Sequence, residues 1–168
     1  MNDRILVAYA TRAGSTAEVA QTIAKALSAA GAAVDVCPVK EVADLSPYRA
    51  VVLGSPIRMG RWLPEAFAFL KAHQAELKRV PVAYFVTCVT LTSNTVENRR
   101  TVDAYLDPAR AILHPVSVGL FAGALDGKKV SFLDRLMIKA IKTPEGDFRK
   151  WDEIHLWGES LQTILSKS

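Results

Sequence analysis

The residues best placed to do chemistry stand together near the start of the chain: Thr11, Arg12, Ala13, Gly14, Ser15 and Thr16. They follow an apolar run, Ile5-Leu6-Val7-Ala8-Tyr9-Ala10. They precede Val19, Ile23, Ala26 and Leu27, which recur at helical spacing. A strand that ends in a hydroxyl-rich loop and turns into a helix makes an anion site. Loop amides and the first unpaired helix amides converge on one point, where the helix dipole adds partial positive charge. Thr11, Ser15 and Thr16 add hydroxyl donors, and Arg12 stands ready to touch the anion or face water. Gly14 lets the backbone approach where a side chain would intrude. A triphosphate loop needs Gly-Lys-Ser/Thr at the helix start, and a dinucleotide loop needs further glycines. This loop has no lysine and only Gly14, so its hydroxyls point to a terminal monophosphate. The competing account is an ordinary helix with a Ser or Thr cap.

The elements that must position this loop alternate regularly. Strands are expected over Ala33–Cys37, over Ala50–Ser55 (ended by Pro56), over Val80–Thr87 and over Val116–Gly123. Helices are expected from Pro64 through Leu77, near Val96 to Ile112, and from Trp151 to Leu165, whose buried stripe is Trp151, Ile154, Trp157, Leu161 and Leu165. Near-continuous apolar strands between helices mean a parallel sheet covered on both faces. Ligands then bind outside the carboxyl ends of the strands, where strand order reverses. The loops to watch are Thr11 to Thr16, Ser55 to Trp62, and Thr87 to Asn94.

The chain has 168 residues, half of them hydrophobic, and a net charge of +4. That length suits a single domain over residues 1–168. No apolar segment is long enough to span a membrane, and the first strand begins too early for a signal peptide, so a cytoplasmic protein is expected. Cys37 and Cys88 lie in apolar segments and read as buried free thiols. His73, His114 and His155 are scattered without partners at ligand spacing, so no metal is expected. No basic run or aromatic–basic interleaving points to nucleic acid.

Taken together, the three loops resemble the flavodoxin family, over essentially the whole chain. Thr11 to Thr16 is similar to the family's phosphate loop, and Gly54-Ser55-Pro56-Ile57-Arg58-Met59-Gly60 to its second flavin loop. Within the family the closer likeness is to its quinone-linked porphyrinogen dehydrogenases. It is carried by Ile57 to Gly60, Ala122-Gly123-Ala124-Leu125, and Asp134 to Lys139 followed by Trp151-Asp152. The resemblance implies an α/β, three-layer, doubly wound sheet of five parallel strands in the order 2-1-3-4-5, with FMN at its carboxyl edge. It implies cofactor contacts from Thr11, Arg12, Ala13, Gly14, Ser15 and Thr16, from Pro56, Ile57, Arg58 and Gly60, and from Thr87, Cys88, Val89 and Thr90. It also implies an FMN-dependent oxidoreductase that passes electrons from a reduced porphyrinogen-like substrate to a quinone. An electron-transfer carrier and an NAD(P)H-quinone reductase remain open as alternatives.

Departures from the family pattern favour an enzyme over a carrier. Flavodoxin carriers commonly cover the flavin ring with aromatics and are usually acidic. Here the third loop, Thr87 to Asn94, has no aromatic, and Trp62 is as well suited to core packing as to the ring. An uncovered ring suits a substrate that must stack on it. Arg58 in the second loop would favour the reduced ring electrostatically and is the candidate catalytic residue. Finally, Leu133, Leu136, Met137, Ala140 and Ile141 fall on one face of a helix, beside a stripe of Arg135, Lys139 and Lys142. An amphipathic helix lying on the sheet explains this. Peripheral contact of Phe132 to Lys142 with anionic membrane is the alternative.

Overall fold

A computed structural model describes residues 3–125 and 146–166. The Phe132 to Lys142 segment and its membrane reading lie outside these residues. β1 (Arg4–Tyr9), β2 (Ala33–Pro38), β3 (Tyr48–Arg58), β5 (Val82–Cys88) and β6 (Ser117–Ala122) pair in parallel in the order β2-β1-β3-β5-β6, which is the expected topology. β4 (Arg61–Trp62) adds a short antiparallel sixth strand against the end of β3. A separate ribbon pairs β7 (Ala124–Leu125) with β8 (Gly146–Asp147).

Alternation along each strand divides the core between two faces. Ile5 and Val7 of β1, Val52 of β3 and Phe85 of β5 pack under Val19, Ile23 and Leu27 of α1 (Ser15–Ala29) and Ile154 and Leu161 of α6 (Trp151–Ser166). Leu6 and Ala8, Leu53, Tyr84 and Val86 face the other layer. That layer is formed by α2 (Pro64–Ala72), α3 (Gln74–Leu77), α4 (Val96–Ala104) and α5 (Asp107–Ile112). Since α1 follows β1 onto one face and α2 follows β3 onto the other, the chain parts between these neighbouring strands and opens a crevice at their carboxyl ends.

Two expected helices are each broken in two. His73 leaves the helical region at φ −109° and ψ 17°, and its ring packs 4.8 Å from Phe69. Gln74 then donates to the Ile112 carbonyl at 2.8 Å, turning the chain into α3. The second break precedes Pro108, which has no N–H for the Ala104 carbonyl and restricts the residue before it. Arg110 braces that corner, bonding Asp103 at 2.7 Å and Asp107 at 3.2 Å.

Pro56 does not end β3 as expected. Strand neighbours alternate in direction, and Ala10 N–H donates to the Gly54 carbonyl at 2.9 Å, so Gly54 and Pro56 both face β1. β1 pairs no further than Tyr9 with Gly54, so the missing N–H of Pro56 falls where no strand needs it. β3 therefore runs on to Arg58 and turns back through Met59 and Gly60. Their φ values of 53° and 72° fit a two-residue hairpin of the type I′ kind. A left-handed conformation at Met59 is strained for a side-chain-bearing residue.

Gly54 is required by packing. The Phe85 ring lies over it from the adjacent position on β5, and a Cβ on Gly54 would come within 2.0 Å of that ring. Gly54→Ala should destabilise the fold by about 1–3 kcal/mol, the range for overpacking a core. Urea denaturation measures the loss, and Phe85→Leu in the same chain should recover part of it.

Candidate functional site

The three loops singled out in the sequence meet at the carboxyl edge. Gly14 caps α1 in a left-handed conformation, φ 89°, and its N–H donates to Thr11 Oγ1 at 2.9 Å. That bond closes the loop on itself. The first helical bond runs from Glu18 N–H to the Gly14 carbonyl, so the amides of Ser15, Thr16 and Ala17 open outward from the helix end. A Cβ built on Gly14 meets nothing within 4 Å, so it is the left-handed backbone and not packing that calls for glycine here.

Thr16 is fully buried, and its hydroxyl lies 3.0 Å from that of Thr87, at the end of β5. The two hydroxyls carry two protons between them and use one in this bond, which leaves the other for a third partner. Thr87 is also paired in register with Pro56, so the start of the third loop lies against the start of the second. Buried Ser55 fixes the second loop: its hydroxyl accepts the Leu63 N–H and donates to the Pro56 carbonyl, both at 2.9 Å.

Beyond Cys88, which is buried, the chain makes a 3-10 turn over Val89–Thr92 that leaves Thr90 exposed. Asn98 holds this turn from α4, donating to the carbonyls of Thr90 at 3.2 Å and Ser93 at 2.8 Å. Thr95 caps α4 by accepting the Asn98 N–H. Cys88 and Cys37 are both free thiols, with Cys37 only partly buried.

Trp62 is a core residue. It is 2% exposed, with its ring edge-on to Tyr84 at 4.8 Å and tilted to Phe67 at 6.0 Å, and its Nε1 has no protein partner. Ile57, Arg58 and Gly60 are partly exposed, whereas Met59 is 71% exposed at the hairpin tip. Arg58 and Arg61 stand directly opposite each other in the hairpin, placing two like charges on one face. Sequence reasoning treated Ser55 to Trp62 as a loop and missed this pairing, although a turn with Gly between two arginines was visible there.

Arg12 belongs to the Thr11 to Thr16 loop by backbone, and its exposed side chain reaches away to Glu65 at 2.7 Å. Lys40 approaches the same carboxylate at 3.7 Å. Together with Tyr9, Thr11 and Val39 they line a recess of about 140 Å³ beside the loop. Burial pushes the Glu65 carboxyl up. The Arg12 hydrogen bond, its own backbone amide and the two cations outweigh this, so it sits below the ordinary glutamate value.

Arg149 was not singled out in the sequence and is the notable addition. It sits just after β8, yet donates to the Ser15 carbonyl at 3.2 Å, at the start of α1. Only its distance in the chain hid it, since no local pattern links residue 149 to residue 15.

This arrangement is a mononucleotide-type edge: an amide-rich helix start on one face, and two loops from adjacent strand ends beside it. The family model described as a flavodoxin domain matches residues 6–152, and the chain belongs to the flavodoxin family. Among curated relatives it is 32% identical over 154 residues to a protoporphyrinogen IX dehydrogenase (quinone) of Leishmania major, covering 85% of this chain and 64% of that protein. The chain thus spans just under two thirds of that relative's length. It is 28% identical over 181 residues to the enzyme of the same name from Escherichia coli K12, covering 98% and 97% of the two chains. Its fold is similar to an archaeal flavodoxin (15% identity, TM-score 0.59, 97% and 99% covered). It is also similar to the Flv1 flavodiiron core of Synechocystis (17% identity, TM-score 0.63, 99% and 36% covered). FMN is the cofactor of this family and of this chain. The outward amides and the buried hydroxyl pair fit a monophosphate ester. No helix among the described residues is long and apolar enough to cross a membrane.

The Glu65 pair has a measurable signature. Because its folded pKa is depressed below 4.5, its contribution to stability is complete above that value and is lost as pH falls through the folded pKa. Thermal melts from pH 6 down to pH 3 (roughly the window set by an ordinary glutamate) should show a shallower loss of stability for Glu65→Gln than for the native chain.

Proposed function

We propose that this flavodoxin-family oxidoreductase passes electrons from a porphyrinogen-like donor through FMN to a quinone. The observation that carries the donor assignment is the hairpin lip: exposed Met59 flanked by the opposed Arg58 and Arg61. An apolar macrocycle bearing carboxylate arms matches an apolar tip between two cations. The names of the two relatives support the same donor and acceptor.

Thr11 to Thr16 receive the phosphate: the amides of Ser15, Thr16 and Ala17 and the hydroxyls of Thr11 and Ser15 serve as donors, while the Thr16–Thr87 pair supplies one more. Pro56, Ile57 and Gly60 on one side and Thr87, Cys88, Val89 and Thr90 on the other flank the ring. Bound FMN supplies the redox chemistry, which no side chain here offers. The protein's share is to hold the reactants at contact distance and to supply charge. Arg58 adds positive potential at the ring edge, and Arg61 adds it at the lip. With Trp62 in the core and no aromatic in the third loop, neither loop offers an aromatic to cover the ring, leaving a face for the donor.

Saturating FMN should raise the melting temperature of apoprotein more than riboflavin does. Thr16→Ala should weaken FMN by about 1.5–3 kcal/mol, the worth of a charge-assisted hydrogen bond. Equal stabilisation by riboflavin would remove the phosphate assignment.

Anaerobic mixing of loaded protein with a porphyrinogen carrying carboxylates should bleach the flavin absorbance, and a quinone should restore it. Arg61→Gln should raise KM for that donor up to about fivefold, as for a partly exposed ion pair, with FMN affinity unchanged. Reduction by NADPH and not by the porphyrinogen would instead establish the reductase alternative.

A further inference from the structure

The side chain of Arg149 is only 10% exposed and is gripped from several sides. Its Nε and Nη2 donate to Asp147 at 2.8 Å and 2.6 Å, and its guanidinium lies 4.5 Å from the centre of the Trp151 ring. Phe148 N–H donates to the Gly123 carbonyl at 3.1 Å, which anchors this segment to the end of β6. So held, Nη1 donates to both the Ser15 carbonyl and the Glu18 carboxylate. Ser15 opens α1, and Glu18 lies in its first turn. An acid there suits an isolated helix dipole, but it opposes a phosphate bound at the same end.

We propose that Arg149 is a positioning residue for the cofactor phosphate. It neutralises Glu18 and holds the Ser15 peptide, so that the amides opening α1 stay aimed at the anion. The inference rests on the reading of Thr11 to Thr16 as the phosphate loop. Arg149 itself does not touch the ligand. Its effect is carried by the phosphate alone and so is absent for a flavin without one.

Dissociation constants for FMN and riboflavin, measured by quenching of flavin fluorescence on titration with apoprotein, provide the test. Arg149→Met should weaken FMN on the order of tenfold and leave riboflavin within about twofold, since only the phosphate feels the released Glu18 charge. Adding Glu18→Gln to that variant should restore most of the loss. Glu18→Gln alone alters a half-exposed side chain and leaves the fold in place. It should tighten FMN about two- to fivefold, because a negative charge near the phosphate is removed while Asp147 still holds Arg149, again without moving riboflavin. Equal weakening of both flavins, failure of the double variant to recover, or no tightening in Glu18→Gln would each overturn the role of Arg149. A native protein that binds FMN no better than riboflavin would remove the phosphate loop itself. A native preference for FMN that survives Arg149→Met undiminished would remove only Arg149.

Discussion

β3 outruns its neighbour, and the site is built on that overhang. β1 stops pairing at Gly54, while β3 continues to Arg58 with β5 along its other edge as far as Thr87. The free edge accommodates a proline, which a strand paired on both sides would reject. It also leaves room for the hairpin that returns through β4 and delivers Trp62 to the core. Ser55, at the root of the overhang, uses its hydroxyl to fix where the returning chain enters α2. Without the overhang the second loop would have neither its turn nor its cationic lip.

Periodicity carried most of the architecture. The apolar runs of β1, β5 and β6 and the stripe of α6 announced strands and a helix within a residue or two, although Trp151, expected in the buried stripe, is 39% exposed and packs against Arg149 instead. The strands' near-continuous apolarity and alternation with helices meant parallel pairing with crossovers. The turn from β1 into α1 was also legible, because a hydroxyl-rich turn between strand and helix is a local signal. What failed was long-range or backbone-specific. Pro56 looked like a terminator because a sequence does not show which edge of a strand is paired. His73 divides one helix through a tertiary anchor, Gln74 on Ile112, whereas Pro108 breaks the other locally, a signal the expected helix overrode. Arg149 had no local signature at all.

Charge is distributed around the edge in compensated pairs. Arg12 and Lys40 answer Glu65, while Arg149 answers Glu18 and Asp147. Partners of opposite sign fix the geometry of long side chains that would otherwise sample many rotamers. The cost is cancellation of much of the field they would project. The positive end of α1 is consequently left to backbone amides, whose aim is set by the fold and needs no ordering when an anion arrives.

The hydrogen bond between Thr16 and Thr87 joins residues 71 positions apart. Between them the chain must complete a crossover on each face of the sheet, so no short fragment can bring these hydroxyls together. Closing so long a span costs chain entropy before any contact rewards it, and parallel sheets fold slowly for this reason. The hydroxyl pair is therefore complete only when both crossovers are in place. A ligand seated there recognises the finished chain alone and stabilises it against global unfolding, with no foothold in the denatured ensemble.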